Sequence, residues 1–191
     1  MTLFVGLGNP GSQYEETRHN IGFKVIDHLI NNFEARDISK TSFHGKLYRS
    51  SNLFFLKPTT YMNLSGKSLQ AVKAFFKIDI EDIVVIHDDI DIPFGAIRFK
   101  KGGGHGGHNG LRSIDTDIGK EYTRIRIGIG KPERKSQVSD YVLSDFSITE
   151  QEEIPALIDH VGKASSALLK EKLADVKSHY TLSISDKQDK Q

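Results

Sequence analysis

The sequence predicts an α/β layered domain built on a mostly parallel or mixed sheet. Three observations carry this reading. Short apolar strand-like runs alternate with segments whose apolar residues recur at helical spacing. Ile83 to Ile86 is an unbroken run of branched apolar residues, the pattern of a central strand buried on both faces. The 191 residues suit one domain, and no linker or internal repeat divides them.

Taken in order, Thr2 to Leu7 reads as a short buried strand and Gly8 to Gly11 as its turn. From Asn20 to Phe33, apolar Ile21, Val25, Ile26, Leu29, Ile30 and Phe33 form one helical face. Ser42 to Arg49 and Asn52 to Lys57 form a hairpin around Ser50-Ser51. Ser65 to Phe76 is helical, with Leu69, Val72, Phe75 and Phe76 on one side. The strand at Ile83 to Ile86 ends in the polar cluster His87-Asp88-Asp89. Ala96 to Lys100 alternates like a strand, Gly102 to Gly107 is a glycine-rich loop, and Asn109 to Ile118 is a short helix. Tyr122 to Gly128 is a strand. Glu150 to Leu169 is a long amphipathic helix through Ile154, Leu157, Ile158, Val161, Ala164 and Leu168. The domain is expected to span residues 1–180, and the polar segment 181–191 to be a disordered tail.

Composition excludes several classes. No apolar run approaches the ~20 residues of a membrane helix, so no membrane partner is expected. The N-terminus has no basic region ahead of a long apolar stretch, so no secretory leader is expected. There are 0 cysteines, which removes disulfides and thiolate metal sites and suits a reducing cytoplasm. The net charge of +1 conceals an asymmetry. Residues 98–135 hold 10 Lys/Arg against 4 Asp/Glu, while 136–159 hold 6 Asp/Glu and 0 Lys/Arg. A basic middle of this kind fits an anion-binding face.

Gly6-Leu7-Gly8-Asn9-Pro10-Gly11 matches the dinucleotide pattern G-x-G-x-x-G. That pattern needs a helix starting inside the motif, so that its N-terminus faces a pyrophosphate. Here Pro10 interrupts the motif and the helical period begins only near Asn20. The acidic residue required at the end of a second strand is also missing, since Asp27 falls mid-helix. The glycines therefore serve a tight turn, which leaves Asn9, a polar amide at a strand end, to be explained.

Polar groups concentrate at strand ends and in turns. His19 stands just ahead of the first helix, and an imidazole beside a carboxylate is a general base matched to neutral pH. Asp88 would orient it, although spacing alone does not choose among Asp88, Asp89 and Asp91. With no cysteine and no G-x-S-x-G elbow, water is the expected nucleophile. Asn9, Asn63 and Asn109 each offer an acceptor and two donors, for gripping a peptide or stabilising an oxyanion. Asn109 alternatively caps its helix. A metal reading rests on His87-Asp88-Asp89-Ile90-Asp91 and His105-Gly-Gly-His108, but this His pair lies in a glycine run and not at helical spacing. The glycine loop, with Arg98, Lys100, Lys101, Arg112, Arg124 and Arg126 nearby in sequence, suits phosphates of an RNA end. A non-catalytic RNA-binding module would use the same loop but leave His19 and Asp88 idle.

Four stretches carry a resemblance: FVGLGNPGSQYEETRHNIGF at 4–23, LKPTTYMNLSG at 56–66, VVIHDDIDIPFGAIRFKKGGGHGGHNGLRS at 84–113 and RIRIGIGKP at 124–132. In this order the chain resembles bacterial peptidyl-tRNA hydrolases. The resemblance implies a single α/β domain with a twisted mixed sheet surrounded by helices. It implies hydrolysis of the ester between a peptide and the 3′-terminal ribose of tRNA, which recycles tRNA. It further implies a cytoplasmic monomer using no metal or organic cofactor, with peptidyl-tRNA, gripped at acceptor stem and 3′ end, as partner. The family's catalytic histidine falls on His19 and its aspartate on Asp88. The family asparagines fall on Asn9, Asn63 and Asn109, with Asn9 or a nearby backbone N–H facing the oxyanion. Tyr61 and Met62 line the cleft beside Asn63, Tyr61 replacing a common phenylalanine. Tyr14 joins the substrate-binding residues. The basic residues near the tRNA 5′ phosphate fall on Lys100 and Arg126, and a mobile lid on Val138 to Leu143.

Overall fold

A computed structural model describes residues 1–184. The strands are β1 (Thr2–Gly6), β2 (Arg36–Asp37), β3 (Gly45–Ser50), β4 (Leu53–Pro58), β5 (Ile83–Asp89), β6 (Ile97–Lys101) and β7 (Thr123–Gly128). The helices are α1 (Ile21–Asn32), α2 (Ser65–Phe76), α3 (Asn109–Ile118), α4 (Val138–Val142), α5 (Ile148–Ala167) and α6 (Leu173–Tyr180). One seven-stranded sheet has the order β2-β3-β4-β1-β5-β7-β6. Its inner pairs, β4 with β1, β1 with β5 and β5 with β7, are parallel. The outer pairs are antiparallel. This is the mixed, mostly parallel α/β sheet expected.

Alternation along the strands sorts two apolar layers. Leu3, Val5, Ile83 and Val85 face α2 and α3, meeting Leu69, Val72, Leu111 and Ile114. Phe4, Val84, Ile86, Ile125 and Ile127 face the other way, onto Val25, Ile26 and Leu29 of α1 and Leu157 and Val161 of α5. Each such side chain contributes about 1.5–3 kcal/mol when fully buried. The Ile83 to Ile86 run thus feeds both layers, as its lack of alternation predicted.

Local chemistry explains the boundaries. The first helix starts at Ile21 because Arg18–Asn20 forms a separate 3-10 turn. The hairpin begins later than expected: Thr41–Phe43 is a 3-10 turn, and His44 adopts a left-handed φ of 51° before β3. The long helix begins at Ile148, ahead of the expected start at Glu150. Ser147 caps it through a reciprocal box with Glu150, Oγ accepting from Glu150 N–H and Ser147 N–H donating to the carboxylate. Leu182 bonds to Ile97 in both directions and lines the outer edge of β6. Residues 185–191 of the expected tail lie outside the described residues.

Because β4, β1, β5 and β7 run parallel, their carboxyl ends share one edge of the sheet. The approach of α1 to that edge depends on two glycines. A Cβ on Gly22 would lie 2.5 Å from the carbonyl oxygen of Ile86 and from the Leu7 nitrogen; one on Gly6 would lie 2.2 Å from the Gly22 oxygen. No other residue fits at either place, so the start of α1 sits directly on β1 and β5.

Candidate active site

The turn Arg18–Asn20 delivers His19 to the end of β5. His19 Nδ1 lies 2.8 Å from Asp88 Oδ2. Asp89 instead accepts from Arg126 Nε at 2.9 Å, so geometry separates the adjacent acids. Burial alone would lower the His19 pKa, but the charge of Asp88 and its hydrogen bond outweigh burial and leave it raised. Burial would likewise raise Asp88; the imidazoles of His19 and His108 reverse this and hold the carboxyl well below its usual range.

His108 has a part in this site that sequence reasoning misses. Its Nε2 lies 2.9 Å from Asp88 Oδ1. Its Nδ1 accepts from Gly110 N–H at 3.1 Å and Leu111 N–H at 3.3 Å. Those two donors fix the tautomer: Nε2 carries the proton and donates it to Asp88. His108, not Asn109, is therefore the N-cap of α3. It thereby takes up two of the free N–H groups at the start of α3. The only sequence signal for this role is position, an imidazole directly before a helix.

Asn9 is fixed at two levels. Met62 N–H donates to Asn9 Oδ1 at 2.8 Å, which orients the amide and leaves Nδ2 as its uncommitted donor. The side chain of Asn20 grips the Asn9 backbone, accepting from N–H and donating to C=O, both at 2.9 Å. The peptide that supplies Met62 N–H follows Tyr61, whose φ of 63° and ψ of 159° belong to a region natural to glycine. Such strain costs on the order of 1–3 kcal/mol and persists where surrounding contacts hold it.

These groups line an open cleft of about 640 Å³. Asn9, His19, Asp88, Tyr61, Met62, Asn63, Asn109, Lys100 and Arg126 all border it. Asn63 and Asn109 are exposed, and among the described residues their side-chain amides make no hydrogen bond. Tyr14 does not border the cleft; its ring meets Tyr61 edge-on, 6.4 Å between centroids. Arg124, counted in the sequence with the phosphate-binding cations, is buried instead. It pins the glycine loop through Gly104 O at 2.6 Å and Gly103 O at 2.9 Å. The segment expected to be a lid, 138–143, is α4 with its C-cap Leu143, and it lines the cleft with Val138, Ser139, Val142 and Leu143.

Among the described residues, His19, Asp88 and His108 are the group whose donor atoms lie close enough to share a metal ion. Both Asp88 oxygens and the facing nitrogens are already joined by hydrogen bonds. The HxxH pair of the sequence does not assemble: His105 Nδ1 accepts from Gly107 N–H, within its own loop. Among the described residues, no helix is long and apolar enough to cross a membrane.

A family model described as peptidyl-tRNA hydrolase matches residues 3–190. The chain belongs to this family. A peptidyl-tRNA hydrolase of Sulfurovum sp. (strain NBC37-1) is 69% identical over 182 residues, covering 95% of this chain and 96% of its own. One from Sulfurimonas denitrificans is 59% identical over 180 residues, covering 94% and 96%. The crystal structure of peptidyl-tRNA hydrolase from Acinetobacter baumannii superposes with a TM-score of 0.89 at 39% identity, covering 95% and 96%. Family membership accounts for the failed dinucleotide pattern: FVGLGNPG is a strand and turn that present Asn9 to the cleft.

Proposed function

We propose that this member of the family hydrolyses the ester between a peptide and the 3′-terminal ribose of tRNA through His19-assisted attack of water. The observation that carries the mechanism is the His19–Asp88 contact at 2.8 Å. Asp88 occupies Nδ1, so Nε2 is the ring nitrogen left to take a proton from water. Base catalysis of this kind typically supplies about 10²–10⁴-fold. Asn9 Nδ2, oriented by Met62 N–H, stabilises the oxyanion; one such donor is typically worth about 2.7–4 kcal/mol. Asn63 and Asn109 hold the peptide and the 3′ end, with Tyr61 and Met62 as the wall beside them. Tyr14 acts through Tyr61, buttressing its ring. Lys100 and Arg126 neutralise phosphates of the acceptor stem. The enzyme works as a cytoplasmic monomer.

The test is hydrolysis of N-acetyl-aminoacyl-tRNA by purified protein with excess chelator, beside His19→Ala. The expected result is turnover by the parent and its loss in the variant. A parent that binds tRNA but never hydrolyses it would turn the reading to a binding module. Activity restored only by added metal would turn it to the His19, Asp88 and His108 group.

A further inference from the structure

The residue before His19 has no role in that mechanism, yet Arg18 is among the most heavily engaged side chains in the fold. It is buried, and its guanidinium makes three close polar contacts. Nη1 donates to Ser144 Oγ and to the Asp145 carbonyl, both at 2.6 Å. Nη2 donates to Glu150 Oε1 at 2.7 Å. Its face stacks on the Tyr141 ring, 4.4 Å from the centroid. Its own backbone N–H reaches Ser144 O at 3.0 Å, and Thr17 forms a β-bridge with Asp145.

All these partners lie on α4, between α4 and α5, or in the first turn of α5. The helix α4 has 5 residues and none of them is buried. A helix this short has no stability of its own. Val138 and Val142, on one face, line the cleft, while Tyr141 turns to Arg18. Glu150 is a fixed post, held in the capping box of α5. Besides Arg18, this helix is held by the Tyr141 hydroxyl, which donates to Ile129 O, and by Tyr141 and Val142 packing against the apolar core.

We infer that Arg18 is a positioning residue that latches α4 over the cleft and so governs substrate capture, not the chemical step. The inference rests on the function proposed above for its kinetic half. The planar fork is essential to it: one guanidinium serves a hydroxyl, a carbonyl and a carboxylate while its face supports an aromatic ring. A lysine keeps the charge but has a single nitrogen and no face to stack.

The experiment compares the full chain with Arg18→Gln, Arg18→Lys and Tyr141→Leu. It reads KM and kcat on N-acetyl-aminoacyl-tRNA and amide hydrogen exchange over residues 138–144. Arg18→Gln and Tyr141→Leu are expected to raise KM about tenfold with kcat within about twofold, the signature of lost uniform binding. Exchange over α4 should quicken by about tenfold in both, with the sheet unaffected. Arg18→Lys should behave like Arg18→Gln. If lysine restored parental KM and exchange, charge alone would suffice and the latch would be wrong. Unchanged exchange over α4 in both Arg18→Gln and Tyr141→Leu would also overturn it, as would a Tyr141→Leu enzyme with lower kcat and parental KM. Should Arg18→Gln fail to fold, Tyr141→Leu, which leaves the His19 turn untouched, decides the question. A parent without turnover would defeat the proposed function, while the exchange comparison would still decide the latch.

Discussion

Asp88 is one carboxylate serving two imidazoles, one through each oxygen. The charge of Asp88 raises the His19 pKa. The bond from His108 Nε2 at 2.9 Å engages the other oxygen of the same carboxylate. A base works deprotonated, so a raised pKa places the acidic limb of the rate profile above the ordinary histidine value of about 6.5. Asp88→Asn removes the charge while burial continues to act, so the limb should move to lower pH. The rate at the optimum should also fall about 10²–10⁴-fold as the tautomer is lost. His108→Ala should move the limb the other way, to higher pH, and cost about 0.5–2 kcal/mol of stability as α3 loses its cap. Rate–pH profiles of the two variants check both signs. Limbs moving in the same direction would rule out the shared-carboxylate account. His19 and the asparagines were legible because polar residues at strand ends and turns stand out against apolar runs. His108 and Asn20 were not, since their value lies in partners 20 and 11 residues away that only the closed fold supplies.

At the scale of elements, the long periodic segments were readable and the short ones were not. The helices α1, α2, α3 and α5 bury continuous stripes, which leave a 3.6-residue period in the sequence. The strand β2 has 2 residues, both exposed, and α4 buries nothing, so neither writes a hydrophobic pattern. The helix α6 buries only Val176. Among the readable elements, the contact of α1 with β1 and β5 sets the site. Gly22→Ala places a methyl 2.5 Å from two backbone atoms, neither of which can rotate away. Overpacking of this kind should destabilise by about 1–3 kcal/mol. Activity should fall further than stability, because the shift moves His19 from Asp88. Urea midpoints measured beside turnover test this; a folded Gly22→Ala enzyme of parental activity would show that the approach is not needed.

For the whole molecule, a net charge of +1 says nothing of where the cations lie. Lys100, Arg126 and Lys135 border the cleft. Removing one cation that binds a phosphate should flatten the slope of log binding constant against log salt by about 1. Lys100→Ala with Arg126→Ala should therefore show a visibly shallower slope for tRNA. Arg126→Ala alone should weaken binding more than Lys100→Ala, since it also uncovers the Asp89 carboxylate. Adding Asp89→Asn to Arg126→Ala should recover part of that loss, and salt titrations of these variants beside the parent distinguish the outcomes. Charge asymmetry along the chain carries no hint of the Arg126–Asp89 pairing, since register brings them together only across β5 and β7.

The order of the sheet also has a consequence in time. The central strand, β1, is the first made, but its two neighbours begin at Leu53 and Ile83. During synthesis this central strand, buried at Leu3, Phe4, Val5 and Gly6, waits unpaired while these are produced. The strand β6 waits as well: its neighbour β7 comes later, and its outer side is met only when Leu182 emerges. A copy cut short before Leu182 lacks the bridge that covers Ile97 on the outer side of β6, and that position is then open to other chains. By its own topology, this fold puts its first strand to use only after most of the sheet has been made.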